Sequence, residues 1–271
     1  MDLFHALVLG IVQGLTEYIP VSSSGHLVLV PWLLGWPDAP FTFEVLVQWG
    51  TLVGVFIYFW RDIGEIVRAV MQGLGRGQPL ATFEARLGWL VIIATIPAVV
   101  FGLFFIDFFE AFFAAPIYVG VLMGIAAIIL VIAERYGSRR RELESIGWLD
   151  AIIIGFWQVI TLVPGISRSG ATIAGGMLRD FDRPAAARFS FLMSIPALGA
   201  AGVVALKDLL GSGALMAELP ALIIGFIAAA VSGYFCIRWL LSYLKGHSLY
   251  VFAIYRVILS AIVIAMALIR G

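Results

Sequence analysis

Two short stretches of this 271-residue chain collect polar and ionisable side chains inside otherwise apolar sequence. The first runs Gln13-Gly14-Leu15-Thr16-Glu17-Tyr18-Ile19-Pro20-Val21-Ser22-Ser23-Ser24-Gly25-His26. Gln13 and Glu17 stand four apart, so on a helix both project from one face. Pro20 disfavours helix at Ile19 and closes the first half-helix, and Ser22 is then a natural N-cap for the next. A carboxylate, an amide, the hydroxyls of Ser22, Ser23 and Ser24, and the His26 imidazole are thus expected around one turn. Glu and His within membrane segments are costly and by default mark function; the bland alternative is a Ser-rich kink with Glu17 neutral.

The second stretch is Pro164-Gly165-Ile166-Ser167-Arg168-Ser169-Gly170-Ala171-Thr172. An arginine at mid-membrane depth costs about 2.5–3.5 kcal/mol on insertion scales. An anion gripped bidentately by the Arg168 fork offsets that cost, and the small residues around it free backbone N–H groups at a half-helix N-terminus. The bland alternative is an Arg168–Glu17 ion pair, which does not exclude the anion. Together the two stretches offer a carboxylate for a divalent cation, a guanidinium with N–H groups for phosphate, and His26 with Ser22–Ser24 for proton transfer or attack. That inventory suits metal-assisted phosphoryl transfer in a membrane cavity. Oxygen ligands without a His/Cys cluster favour Mg²⁺ or Ca²⁺ over zinc. No Walker motif or Rossmann glycine fingerprint is present, so nucleotide chemistry is not implied.

The elements that must position these groups are set by the membrane. Hydrophobic residues make up 62% of the chain and charged ones 13%, against roughly 25% charged in an ordinary soluble domain. The net charge is zero, which removes bulk charge as a reason to expect nucleic acid or an acidic substrate. A span needs about 20 mostly apolar residues, and six stretches qualify: 42–60, 87–106, 117–134, 189–206, 220–241 and 250–269. Pro97 and Pro196 should kink two of them. The apolar stretches 3–33 and 148–178 contain the polar breaks. As one straight helix the first would reach about 45 Å, well beyond a ~30 Å hydrocarbon core. Both read as re-entrant helix–break–helix hairpins. Lys and Arg placement agrees. Arg61, Arg68, Arg76 and Arg86 in a loop near 61–86, Arg135 and Arg139–Arg141 in a loop near 135–148, then Arg179, Arg183, Arg188 and Lys245 fall on one face, which is expected to be cytoplasmic. Segments 34–41 and 107–116 carry no positive charge, and 207–219 carries Lys207 alone. On this layout the first hairpin enters from outside and the second from the cytoplasm.

Ala6–Gly25 aligns without gaps on Ala151–Gly170, with Ala6/Ala151, Gly10/Gly155, Gln13/Gln158, Thr16/Thr161, Ser22/Ser167, Ser24/Ser169 and Gly25/Gly170 identical. Tyr118-Val119 echoes Tyr250-Val251, and Val131-Ile132-Ala133 echoes Val263-Ile264-Ala265. Chance similarity between apolar helices explains the second echo but not the matched polar residues of the first. The expected fold is an all-α polytopic membrane protein, one membrane domain made of repeat 1 (1–138) and repeat 2 (148–271). Each repeat has a hairpin and three spans. An odd number of crossings inverts the halves, and inverted repeats with broken helices place binding sites at the repeat interface.

Other residues carry weaker signals. Glu44 and Gln48, again four apart, can line the cavity or simply start a helix. Arg256, beside Tyr255 in the last span, needs a partner or a snorkelling path. His5 and His247 read as interfacial, Arg139–Arg141 as a positive-inside anchor, and Gly73–Gly77 and Gly211–Gly213 as loops. Cys236 is alone, which excludes a disulfide framework. The N-terminus lacks the basic region and cleavage site of a signal peptide.

These motifs resemble the undecaprenyl-diphosphate phosphatase family, the bacitracin-resistance lipid phosphatases, over essentially the whole chain. The resemblance is carried by Gln13-x-x-x-Glu17, Pro20–His26, Phe43-Glu44-Val45 with Gln48, Ile96-Pro97-Ala98, Pro164–Thr172 and Ala253-Ile254-Tyr255-Arg256. It implies hydrolysis of undecaprenyl diphosphate to the monophosphate and inorganic phosphate, recycling the carrier lipid for peptidoglycan. It implies metal ligation by Glu17 and Gln13, an essential imidazole at His26 and a candidate hydroxyl at Ser23. Phosphate binding falls to Arg168, Ser167 and Thr172, with Ser22, Ser24 and Ser169 beside them. Some members of the family carry two carboxylates in the first motif, where this chain has Gln13. The expected setting is the bacterial inner membrane with a site open to the outer, periplasmic face. The expected partners are the prenyl diphosphate and membrane lipids, with a homodimer left open and no nucleic acid. A prenyl-phosphate transporter or flippase is the rival class, because inverted repeats and facing half-helices are transporter features. A purely structural scaffold gives no reason for Glu17, His26 and Arg168.

Overall fold

The computed structural model describes residues 1–110, 116–212 and 215–270. Among them the chain forms the helices α1 (Leu3–Tyr18), α2 (Ser23–Leu34), α3 (Phe41–Tyr58), α4 (Trp60–Gly75), α5 (Phe83–Glu110), α6 (Pro116–Tyr136), α7 (Trp148–Val159), α8 (Arg168–Leu178), α9 (Arg183–Ser212), α10 (Leu215–Leu244) and α11 (Tyr250–Arg270). No strand occurs among the described residues. This is an all-α, multi-pass membrane protein. Five segments are long and apolar enough to cross a bilayer: Phe83–Phe105, Pro116–Tyr136, Arg183–Gly211, Glu218–Leu244 and Tyr250–Arg270. A sixth is added if the pair Thr42–Tyr58 and Trp60–Gly75, bent by 81°, counts as one span. Each corresponds to one of the six stretches expected from hydropathy.

The polar breaks fall where Pro and Ser put them. α1 stops at Tyr18, Ile19 is extended (φ −65°, ψ 136°) ahead of Pro20, and Ser22 caps α2 by accepting the Gly25 N–H at 3.2 Å. α7 runs on as a short 3₁₀ turn, Ile160–Leu162. Val163 is then extended ahead of Pro164, and Ser167 caps α8 through the Gly170 N–H at 3.2 Å. Ser22 and Ser167 take nearly the same left-handed backbone, φ 74° and 76°. The helices flanking the breaks, Leu3–Tyr18, Ser23–Leu34 and Trp148–Leu162, are each too short to span a bilayer alone.

Packing crosses between the two halves of the chain throughout. α1 lies on α10 and α7 lies on α5, while α6 packs on α11 and α3 on α9. The matched pair Gly10 and Gly155 makes the two hairpin contacts close. A side chain at Gly10 would strike the Gly225 carbonyl of α10, and one at Gly155 would strike the Ala94 carbonyl of α5. Without a hydrophobic driving force between helices in lipid, such small-residue approaches supply much of the association energy through dispersion.

Three expectations need correction. Residues 61–86 were expected as a loop. Most of that segment is α4, whose Ile63 and Ile66 pack on the core while Trp60, Val67, Met71 and Leu74 face outward. The charged residues between those positions hid its amphipathic period. Pro97 and Pro196 were expected to kink α5 and α9, yet the non-helical backbone of α5 lies at Phe105 and α9 runs through Pro196 as one helix. One lost hydrogen bond in a packed membrane helix can be re-satisfied by neighbouring groups. Gly73–Gly77 straddles the end of α4, with only Arg76 and Gly77 beyond it, and Gly211 is helical. Gly213 and residues 111–115 of segment 107–116 lie outside the described residues.

The arginine-rich face does more than anchor topology. Arg141 binds Asp150 through both terminal nitrogens, at 3.1 and 2.7 Å, and Arg179 Nε reaches the same carboxylate at 2.8 Å. Arg183 chelates Glu134 at 2.7 and 2.6 Å, with Arg139 at 3.2 Å. These bonds tie the ends of α6, α7, α8 and α9 together.

Gly10→Leu should drive α1 off α10 and cost about 1–3 kcal/mol or more through overpacking. A lower thermal midpoint in detergent is the expected result, and an unchanged midpoint would refute the close approach.

Candidate active site

The two capped half-helices, α2 and α8, start on either side of one carboxylate. Glu17, at the end of α1, is 5% exposed. Arg168 Nη2 meets its Oε1 at 2.7 Å. On Oε2 the Ser23 hydroxyl donates at 2.5 Å and the Gln13 amide at 2.8 Å. Ser23 and Arg168 hold the same place in their hairpins, directly after the capping serine, so matched positions converge on Glu17 from opposite halves. The structure therefore brings Gln13, Glu17, Ser23 and Arg168 together, as expected.

What is left without a partner defines the chemistry of the cluster. Arg168 Nε and Nη1 are buried and make no hydrogen bond, and neither does Gln13 Oε1. A buried donor left unpaired costs about 1–3 kcal/mol, more for a charged group. Two guanidinium N–H groups beside a half-helix N-terminus match the oxygens of a phosphate. The α2 and α8 dipoles add positive potential at their first turns. A hard cation would need a different set of donors. Among the described residues no group of three His, Cys, Asp or Glu side chains could hold a metal, but the free Gln13 Oε1 beside the Glu17 carboxylate is an all-oxygen donor set of the kind Mg²⁺ or Ca²⁺ takes.

The remaining serines and the threonine act largely on the backbone. Ser22 and Ser167 cap their helices, with Ser24 and Ser169 beside them at 3.4 and 3.3 Å. Ser169 also donates to the Glu17 carbonyl at 3.0 Å and the Ile19 carbonyl at 3.2 Å, closing the end of α1. The Thr172 hydroxyl bonds the Arg168 carbonyl at 2.8 Å and lies 2.6 Å from Ser190 Oγ.

His26 is held apart from this cluster; no hydrogen bond joins it to Glu17 or Arg168. Its Nδ1 lies 2.7 Å from the Ser22 carbonyl and its Nε2 lies 2.7 Å from the Tyr255 hydroxyl. A carbonyl can only accept, so Nδ1 carries the proton and Nε2 accepts from Tyr255. The two rings stack with centroids 5.8 Å apart. Tyr255 is a site residue that sequence reasoning placed only as a neighbour of Arg256; its register on α11 gave no sign of which ring it would face. Arg256 itself is fully buried behind the breaks, where it bonds backbone carbonyls. His5 stacks on Trp36 and His247 on Tyr243, both away from the cluster. Glu44 and Gln48 are half-buried on α3. Cys236 Sγ packs on the Leu15 carbonyl at 3.2 Å.

Helices long and apolar enough to cross a bilayer, packed around a buried carboxylate–guanidinium pair with spare donors, define an integral-membrane protein with a buried polar site. The chain belongs to the family described as bacitracin resistance protein BacA, whose sequence profile matches residues 6–262. It is similar to a protein of Chlorobium limicola named undecaprenyl-diphosphatase, 46% identical over 277 residues that cover 98% of this chain and 97% of the relative. A protein of the same name from Desulforudis audaxviator is 44% identical over 271 residues, the full length of both chains. One from Thermomicrobium roseum is 40% identical, covering 97% of this chain and 98% of the relative.

The free donors make a direct prediction. Inorganic phosphate at about one hundred times its Kd should stabilise the wild type by about 2.7 kcal/mol and raise its thermal midpoint in detergent. Arg168→Ala should lose that response. Equal shifts in the two proteins would remove Arg168 from the anion site.

Proposed function

We propose that the protein hydrolyses undecaprenyl diphosphate to undecaprenyl phosphate and inorganic phosphate, recycling the carrier lipid of peptidoglycan synthesis and so conferring bacitracin resistance. The observation that carries this reading is the buried Arg168 fork, anchored by one nitrogen on Glu17 with two others free, at a helix start beside the Ser23 hydroxyl. Full-length relatives named undecaprenyl-diphosphatase support the choice of lipid.

In this reading the terminal phosphate sits on Arg168 Nε and Nη1 and on the first-turn N–H groups of α2 and α8, with the prenyl tail in lipid between helices. Ser22, Ser24, Ser167, Ser169 and Thr172 shape that cradle, mostly by holding its backbone. Ser23 already donates into Glu17, so the base for an attacking hydroxyl is in contact before substrate arrives. Oxygen attack on the terminal phosphorus, by Ser23 or by a water in its place, passes the proton to Glu17. The phosphoanhydride bond breaks and undecaprenyl phosphate leaves. If Ser23 attacks, water then cleaves the phosphoseryl group: His26 Nε2 takes the water proton once Tyr255 releases it, Glu17 returns its proton to the Ser23 oxygen, and inorganic phosphate leaves. Arg168 holds charge that builds on the phosphoryl oxygens, in a site dry enough for it to count. A divalent cation held by Glu17 and Gln13 supplies further charge neutralisation when bound. The matched hairpins support an inverted-repeat arrangement with both breaks re-entrant. The one-sided arginines support an orientation in the inner membrane with the site opening outward.

Glu17→Gln, Arg168→Ala and His26→Ala should each lower phosphate release from a prenyl diphosphate by about 10²–10⁴-fold while remaining folded in detergent. Full activity in any one excludes that residue from the mechanism. In the wild type, EDTA should stop release and Mg²⁺ or Ca²⁺ restore it; release untouched by chelation would exclude the metal. Movement of the lipid across vesicles with no phosphate released would instead favour a flippase.

A further inference from the structure

Arg256 is the largest fully buried side chain among the described residues, and none of its bonds is to a carboxylate. Every nitrogen of its fork is spent on backbone oxygen. Nε donates to the Met123 carbonyl at 3.1 Å, and Nη1 to Pro20 at 3.3 Å and Ile166 at 3.1 Å. Nη2 donates to Gly165 at 2.5 Å and Ile166 at 3.1 Å. Three of these four carbonyls belong to the two polar breaks, one to the first and two to the second. Breaking a helix inside a membrane strands such carbonyls without partners. A planar guanidinium answers them all at once, in one rigid geometry.

We infer that Arg256 is a positioning residue for phosphoryl transfer, fixing the first break relative to the second so that Ser23 and Arg168 face one phosphate. The register supports it. Pro20 lies three residues before Ser23, and Ile166 lies two before Arg168. The clamp therefore acts on the backbone directly behind both site residues, and it never reaches the substrate. The same helix delivers Tyr255 to His26, so α11 sets the geometry of the imidazole and of the breaks together. A misplacement of about 1 Å costs on the order of 10²-fold in rate, even when the displaced group lies far from the bond that breaks. A lysine keeps the charge at this position but replaces the planar fork by a single nitrogen, which cannot hold four carbonyls in a fixed plane. A gentler perturbation is also available, because a methyl group at Gly170 would lie 3.3 Å from Arg256 Nη1 and 3.2 Å from Ser167 Oγ. It presses on the fork and on the capping Ser167 together, without removing either.

This inference rests on the phosphatase reading, and one experiment separates the two. Phosphate release from a short-chain prenyl diphosphate is measured for wild type, Arg256→Lys and Gly170→Ala in detergent, per mole of folded protein, with thermal midpoints recorded in parallel. Arg256→Lys should lose about 10²-fold in kcat with KM changed less than about threefold, because Arg168 and the tail still bind. Gly170→Ala should move in the same direction by a smaller factor, with a thermal midpoint close to wild type. If Arg256→Lys does not fold, Gly170→Ala decides alone. Wild-type kcat in the folded variants would overturn the inference and leave the phosphatase reading standing. So would a loss that comes only from a smaller folded fraction, or one that appears wholly in KM. No release by the wild type would overturn both.

Discussion

The structure depends on the burial of the Glu17–Arg168 pair between two halves of the chain. Two charges removed from water cost several kilocalories each, and their attraction repays that only if the remaining hydrogen-bonding capacity is met. For Glu17 it is met: Arg168, Ser23 and Gln13 dress both oxygens. For Arg168 it is met on one nitrogen only. The pair thus combines a fully bonded acidic half with an unsaturated basic half, and that asymmetry leaves donors free beyond the cross-link.

Holding such a pair in place requires helices that stop inside the apolar interior of the protein. Each stop exposes carbonyls at the end of one half-helix and N–H groups at the start of the next. Here the two sets are handled separately. Carbonyls are taken up from behind by Arg256 and Ser169, while Ser22 and Ser167 each satisfy one N–H of their helix starts. The division leaves the first-turn N–H groups of α2 and α8 beside the free nitrogens of Arg168.

The two matched stretches share their local geometry and differ in a few side chains that give the cluster its chemistry. Gly10 and Gly155 seat the two hairpins on opposite halves by the same small-residue contact. Ser22 and Ser167 cap with almost the same backbone angle. The differences are confined to a few matched positions. Leu162 stands where the other half has Glu17, and Arg168 stands where it has Ser23, so one hairpin carries the acid and the other the base-paired cation.

Much of this was legible in the amino-acid sequence, because local rules govern it. Proline before a serine cap sets where a helix stops and restarts. Apolar runs of about 20 residues set the spans, and an arginine with no apolar alternative marks a site. The meeting of Gln13, Glu17, Ser23 and Arg168 was expected from the two polar stretches and the need of a buried Arg168 for a partner. Long-range packing decided the rest. That Tyr255 would face His26, that Arg256 would bond carbonyls of both breaks, and that Thr172 would turn to Ser190 depend on how α11, α8 and α9 rotate about their axes. That rotation is set by side-chain fit over whole helices, which no local spacing encodes. The same holds for α4, whose apolar face becomes recognisable as such only against the core it covers, and for the prolines of α5 and α9, whose neighbours keep those helices going.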